Sequence, residues 1–324
     1  MIYVNTNSKN VFYNFGAEMY FADKKDLSDT VFLFWQTSPT LMTGKYQNPF
    51  EEIDTAYARE KNITVVRRNS GGGTIYTDEG GWQFSFIDRN ANSDISFAEY
   101  MKPVVDALVR LGVPAERSGR NDILAGGRKF SGNAQYKTDN ATVHHGSLLF
   151  STDIEEMVRA TTVDEYKFTS KSIKSVKDRV VNLCEFAPGG MTSEAFGEYM
   201  VKEILREGSE YFITEEDDRE IKALAKEFFA VPERIYGLTP RFSVKEKGRF
   251  KGGSVQVEVD VKKGKIAALN ITGDFFSSKE VAFIAQNMVG CPYEKQAVTE
   301  KFKQLSGGAF YGISDEEIAN LIVE

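Results

Sequence analysis

Three consecutive glycines, Gly71-Gly72-Gly73, sit between two strand-like runs, and no other feature constrains the fold as much. The stretch reads Arg67-Arg68-Asn69-Ser70-Gly71-Gly72-Gly73-Thr74-Ile75-Tyr76-Thr77-Asp78. Glycine lacks a Cβ, so its backbone turns sharply and comes close to a ligand. Successive N–H groups in such a turn form a concave anion site. Arginine adds a rigid fork that matches a phosphate or a carboxylate. The apolar run Ile63-Thr64-Val65-Val66 ahead of the loop predicts a strand that holds it in place. A hairpin turn with solvated arginines fits the same residues, and at this point both readings stand.

With 324 residues and 41% hydrophobic content, the chain can bury a sizeable core and predicts two domains. The formal net charge of −7 argues against a polyanion binder, so no nucleic-acid partner is expected. A local basic site within an acidic protein is compatible with that balance. Cys184 and Cys291 have no metal-site spacing and make no disulfide framework, which fits a reducing, cytoplasmic setting. The amino-terminal residues Met1 to Thr6 lack the pattern of a secretory signal. Val31-Phe32-Leu33-Phe34-Trp35 is far too short to cross a bilayer, so no membrane partner is expected.

The periodicity predicts helices over Asn10–Lys24, Glu51–Lys61, Phe97–Leu111, Thr192–Arg206 and Glu215–Phe229. Strands are predicted over Val31–Gln36, Ile63–Val66 and Gly81–Ile87, with three short ones between Ile123 and Phe150. Thr138-Asp139-Asn140 reads as a turn, and Asp153 with Glu156 as a helix cap. Ser254 to Val261 alternates strictly between valine and polar residues, the mark of a half-buried strand. Lys262 to Lys265 reads as a turn and Ile266–Ile271 as the returning strand. Ser277 with Glu280, and Ser314 with Glu317, read as capping boxes. The change in character predicts a boundary near residue 245, with one unit over 1–244 and a small α+β unit over 245–324.

A second informative stretch runs from Arg120 to Ala134. Asn121-Asp122 sets an amide beside a carboxylate. A carboxylate facing a phosphate needs a cation between them, and Mg²⁺ is the usual one. Gly132 and Ala134 leave room on one face of a strand, while period two places Lys129 and Ser131 on the other. Lys129 reaches the cleared side only if the strand begins after it or bulges near Gly132. A hairpin with an exposed Arg-Lys tip is the competing reading. In His144-His145-Gly146-Ser147-Leu148-Leu149-Phe150 the two histidines point to opposite faces and make a poor metal pair. Cys184 reads as a small residue in a buried apolar strand.

Taken together and in order, several motifs make the chain resemble the two-domain lipoate–protein ligases over nearly its whole length. They are Tyr13-Asn14-Phe15 with Glu18, Gly44-Lys45-Tyr46-Gln47-Asn48-Pro49, Arg67-Arg68 with Ser70-Gly71-Gly72-Gly73, Asn121-Asp122, and Lys129 with Gly132 and Ala134. His145-Gly146-Ser147-Leu148-Leu149, Ser175-Val176 with Arg179-Val180, Asn182-Leu183, and Gly273-Asp274-Phe275-Phe276 complete them. The resemblance implies an α/β (α+β) protein: a mixed sheet flanked by helices, as in biotin ligases and class II aminoacyl-tRNA synthetases, with a small accessory domain. The implied reaction joins lipoate to ATP as lipoyl-AMP, with Mg²⁺ as cofactor. The acyl group then passes to a lysine of a carrier, either a 2-oxoacid dehydrogenase subunit or the glycine-cleavage H protein.

By family position, Lys129 bridges acyl carbonyl and phosphate. Arg68, Ser70 and Gly71–Gly73 hold the nucleotide phosphates. Thr74, Ile75, Tyr76 and Asp78 lie along the adenylate with Gly132 and Ala134. Asn121 and Asp122 are the candidates for adenine and Mg²⁺. Gly44, Gln47, Asn48, Arg67, His145, Gly146 and Ser147 are expected around the lipoate. Where the family usually has His-Asp-x-Gly-Asn, this chain has Thr77-Asp78-Glu79-Gly80-Gly81. Two other functions share the fold. One is an ATP-independent acyltransferase working through a cysteine, for which Cys184 is the candidate. The other is a non-catalytic carrier-binding paralogue.

Overall fold

A computed structural model describes residues 1–89, 96–119, 121–161, 170–236 and 244–323. In chain order the strands are β1 (Ile2–Val4), β2 (Val31–Trp35), β3 (Thr40–Thr43), β4 (Thr64–Arg67), β5 (Ile75–Thr77), β6 (Gly81–Asp88) and β7 (Ala115–Ser118). They continue as β8 (Asp122–Ala125), β9 (Arg128–Lys137), β10 (Thr142–Leu149), β11 (Ser209–Tyr211), β12 (Val244–Phe250), β13 (Gly253–Lys262) and β14 (Lys265–Gly273). A mixed sheet of eight has the order β11-β1-β2-β6-β10-β9-β8-β7. Among the described strands of this sheet, only β1 pairs in parallel, with β11 and β2.

The all-apolar run of β2 is explained by burial on both faces. Phe32 and Phe34 join a core under the helices Ala98–Arg110 and Ser193–Leu205. Val31, Leu33 and Trp35 join the opposite core under the helix Val11–Asp23. A small sheet, β4-β3-β5, stands beside this one, and the glycine run is the connection between its two outer strands. No helix among the described residues is long and apolar enough to cross a membrane.

The third sheet, β12-β13-β14, packs Val255, Val257 and Val259 against its own helices in a separate core. The alternation of β13 predicts an open polar face, but Gln256 and Glu258 are only 6% and 8% exposed. That face turns toward the rest of the chain. The segment after β14 enters the main core, where the Phe276 ring lies 5.3 Å from Phe97.

Local chemistry corrects three expectations. Residues 51–61 form two helices, Pro49–Glu52 and Thr55–Glu60, because buried Ile53 is extended and the Asp54 side chain caps the second helix. The helix expected from Ser277 starts only at Val281. Ser277 Oγ accepts the Lys279 N–H in a tight turn, and Glu280 pairs with Lys45. The run from Glu215 is an α-helix to Leu224 and then widens to a π turn through Phe229. Ser314 and Glu317 do exchange the two bonds of a capping box.

Candidate active site

The glycine loop is held by a buried arginine. Arg68, 5% exposed, donates to Met42 O (2.9 Å), Gly71 O (2.8 Å), Gly73 O (2.7 Å) and Ser70 Oγ (3.1 Å). Burial, then the neighbouring Arg67, push its pKa down to about 10, so it stays charged near neutrality. Arg67 wraps the other side, donating to the carbonyls of Gly44, Lys45, Gln47, Arg234 and Ile235. Both cations therefore answer carbonyl oxygens, and their positive field stays beside the loop.

Lys129 meets this loop because β9 carries a bulge. Ile123 pairs with Ser131 but Leu124 pairs with Lys129, so Phe130 is the extra residue. That slip of one residue moves Lys129 onto the face of Gly132 and Ala134. Lys129 folds over Gly132, where a Cβ would lie 3.3 Å from Nζ. Its ammonium pairs with Asp122 Oδ1 at 2.8 Å.

Two cavities share this corner. One, of about 130 Å³, is walled by Phe15, Trp35, Met42, Ile75, Ala134 and Phe276. The other, of about 290 Å³, is walled by Tyr76, Phe130, Leu149, Met157, Val158 and Val180. Thr74, Ile75, Lys129, Gly132 and Ser147 border both. A narrow apolar slot and a broader cavity thus join at an ammonium group and the end of the glycine loop.

A buried chain of polar groups fixes one wall. The Glu18 carboxylate, 1% exposed, accepts from Ser85 Oγ (2.6 Å), Tyr136 OH (3.0 Å) and His145 Nδ1 (3.0 Å). The carboxylate only accepts, so Nδ1 carries the hydrogen. In the neutral ring Nε2 then takes the Ser70 hydroxyl, 2.6 Å away. Ser70 also accepts from Arg68 Nε, so the chain runs from a helix through a strand to the loop. Glu18→Ala leaves three buried donors without an acceptor and is expected to cost about 3 kcal/mol of stability. Urea unfolding measures it, and a loss below about 1 kcal/mol would show the chain to be idle.

The expected residues do not all come together, and Asp122, held by Lys129, borders neither cavity. Arg68, Gly72, Gly73, Thr74, Ile75, Asn121, Lys129, Gly132, Ala134, His145, Gly146 and Ser147 line the apolar slot, and Tyr76 lines the second cavity. Gly44, Gln47, Asn48 and Arg67 do not line the slot. Arg67 lies behind the loop and spends its donors on the turn Gly44–Gln47, while Gln47 and Asn48 border clefts toward the third sheet, one of them at Thr74, whose hydroxyl donates to Gln47 Oε1 at 2.8 Å. Ser70 is fully buried and acts on Arg68 and His145. Gly71 is against Phe275 O, where a Cβ would sit at 2.1 Å. Asp78 accepts the N–H groups of Gly80 and Asp153, both at 2.9 Å, and braces a turn and a helix start. Asn121 and Asn133 exchange amide-to-carbonyl bonds of 2.7 and 3.1 Å.

Phe15, Trp35, Met42, Gln83 and Phe276 line the slot without having been singled out as pocket residues. Trp35 and Gln83 are cross-strand partners, a pairing that no local pattern reveals. Cys184, expected in a buried strand, is exposed on the single turn Leu183–Glu185 and borders neither cavity.

Residues 10–205 match the family model "Lipoyl protein ligase A/B catalytic domain", and residues 239–322 match "Bacterial lipoate protein ligase C-terminus". These matches, which cover most of the chain, place it among the lipoyl protein ligases. The chain belongs to the lipoate–protein ligase family: it is 38% identical to lipoate-protein ligase LplJ of Bacillus subtilis (strain 168), over 98% of each chain. It is 37% identical to lipoate–protein ligase 1 of Staphylococcus aureus (strain Mu50), over 96% of each. The same fold is seen in P. falciparum LipL1 in complex with lipoate, with a TM-score of 0.79, 20% identity and 99% of each chain covered. It is seen again in a lipoate-protein ligase A bound with ATP, with a TM-score of 0.61 and 23% identity over 74% of this chain and 98% of that one.

Proposed function

We propose that this chain joins lipoate to ATP, giving lipoyl-AMP and pyrophosphate, and passes the lipoyl group to a lysine of a carrier domain. The observation that carries this is the junction of the apolar slot with the broader cavity at Lys129. The slot takes the acyl chain and its dithiolane ring, and the broader cavity takes the nucleoside. A carboxylate attacking an α-phosphate brings two anions together, and Lys129 offsets their repulsion. Asp122 borders neither cavity but pairs with Lys129 at their junction, and in this reading it is the candidate to hold Mg²⁺, since that ion needs only one or two carboxylates beside the substrate's phosphates. When bound, the ion supplies further positive charge to the phosphates. In the second step the mixed anhydride is already reactive, and positioning of the carrier's amine does the rest. Residues 1–244 form the catalytic unit in this reading and 245–324 the accessory unit. The carriers are 2-oxoacid dehydrogenase subunits or the glycine-cleavage H protein. A bi-partite lipoate protein ligase of Thermoplasma acidophilum, of the same fold and described with its E2 lipoyl domain, supports that class.

Intact-mass analysis of both carriers, incubated with enzyme, MgATP and lipoate, tests the reading. A mass gain of one lipoyl group that vanishes without ATP is the expected result. A gain that persists without ATP would overturn it in favour of an acyltransferase. Cys184→Ala is expected to keep full activity, because the side chain borders neither cavity and, although the residue is exposed, desolvation of its thiol and then the Glu185 carboxylate push its pKa up. Loss of carrier modification in that variant points to the same acyltransferase.

A further inference from the structure

A third cleft opens at the same corner. It measures about 310 Å³ and lies between the end of the glycine loop, at Gly73 and Thr74, and the polar face of the third sheet. Thr74 therefore borders three spaces: the apolar slot, the broader cavity and this cleft. The reaction proposed above separates three groups at one phosphorus atom. The acyl oxygen enters, adenosine stays, and pyrophosphate must leave on the side opposite the attack.

The roof of the cleft is built for an anion. On β12, β13 and β14, Lys247 stands opposite Gln256, and Gln256 opposite Thr272. Arg249 stands opposite Ser254 one step along. The alternation that sends the valines of β13 into the core sends these residues to the cleft. Lys247 has no ion-pair partner among the described residues, and Arg249 has only a long contact of 3.5 Å to Ser254 Oγ. Gln256 is 6% exposed, lines the cleft, and its Nε2 has no hydrogen-bond partner among the described residues. A buried amide donor left without an acceptor is costly, and a ligand oxygen removes that cost. Two carboxylates also border the cleft. Asp274 accepts the Ser254 N–H, and Glu52 lies across from it. Their charge favours a polyphosphate that carries its own divalent cation over a bare anion.

We infer that this cleft receives the leaving pyrophosphate as its divalent-cation complex, with Lys247, Arg249 and Gln256 Nε2 as its donors. The site deepens the ligase reading and rests on it. As the lipoate oxygen bonds to the α-phosphorus, the bond from that phosphorus to the bridging oxygen breaks. The electron pair stays on pyrophosphate, where the roof stabilises it, and no proton is moved. The accessory domain thereby takes part in the first half-reaction.

The test compares wild-type full-length enzyme with Lys247→Gln/Arg249→Gln, both exposed positions where the fold tolerates change, and with Gln256→Leu. Calorimetry with pyrophosphate and Mg²⁺ on the substrate-free enzyme is expected to show binding that weakens at least about 10-fold in the double variant. Lipoate-dependent exchange of pyrophosphate into ATP is expected to fall by a similar factor. Transfer from supplied lipoyl-AMP to the carrier should not change. Equal losses in both half-reactions would mean that the residues only hold the domain in place, and would overturn the inference. Unchanged binding and exchange in the double variant would overturn it too. A wild-type enzyme that forms no lipoyl-AMP would instead refute the ligase reading, a result this comparison keeps separate.

Discussion

Lys129→Ala is expected to slow lipoyl-AMP formation by about 1,000-fold and to leave the fold intact. The estimate follows from charge. A cation about 4 Å from a unit of negative charge at a protein surface contributes about 4 kcal/mol, and each 1.4 kcal/mol is a factor of ten in rate. Lys129 stands where the slot, the broader cavity and the loop meet, so in the proposed reaction it would face negative charge during attack and after it. The side chain is 42% exposed, and its backbone is held independently by the bonds Lys129 N to Arg179 O and Val181 N to Lys129 O. Truncation therefore removes the charge without opening a core cavity. Asp122 loses its partner, but at 37% exposure water replaces it. Pyrophosphate release measures the rate, and circular dichroism melting checks the fold. Near-normal release in a folded variant removes the central premise of the mechanism.

The sequence made some of this legible and hid the rest for physical reasons. Alternation in β13 and the apolar run of β2 are local patterns, and both strands lie where the patterns place them. The glycine run was visible as a loop, yet its geometry depends on Arg68 reaching back to Met42 in another strand. Period two put Lys129 on the wrong face. A bulge near Gly132 is one of the two ways left open for it to reach the other face, and the structure has that bulge at Phe130, where the register with the neighbouring strand β8 slips by one residue. Arg67 looked like an anion ligand, and its charge is instead absorbed by carbonyls from two distant segments. Even the departures from the family pattern become connected in three dimensions. A Cβ at Gly81 would lie 2.8 Å from Thr77 Oγ1, which already accepts a 2.7 Å bond from Gln83 Nε2. Thr77 and Gly81 fit together as a pair, and they brace a residue of the slot.

Gly71→Ala is expected to slow the first half-reaction by about 100-fold, because a displacement of about 1 Å at a reacting centre has that effect. The accessory segment is seated directly on the loop. Gly72 N donates to Phe275 O at 3.1 Å, Gly273 N donates to Tyr46 O at 2.8 Å, and the Tyr46 and Phe275 rings stack 4.9 Å apart. A Cβ at Gly71 would stand 2.1 Å from Phe275 O, where ordinary contact begins at 3.4 Å. The obstacle is backbone, so no side-chain rotation relieves it, and more than an ångström of separation follows. Phe276 then leaves the wall of the slot, and the roof over Thr74 lifts with it. The same contact is expected to break in the proposed cycle. The Gly72 N–H that holds Phe275 is also a donor suited to an adenylate phosphate, so the finished adenylate competes with the accessory segment for it. Small-angle scattering of the wild type is therefore expected to differ between the substrate-free and adenylate-bound forms, with substrate-free Gly71→Ala resembling the latter. Transfer from supplied lipoyl-AMP should survive in the variant, since its domain is already released. Scattering that is identical in the two wild-type forms argues against the movement, and a variant that loses both half-reactions equally shows the loop itself, rather than the seat, to have been broken.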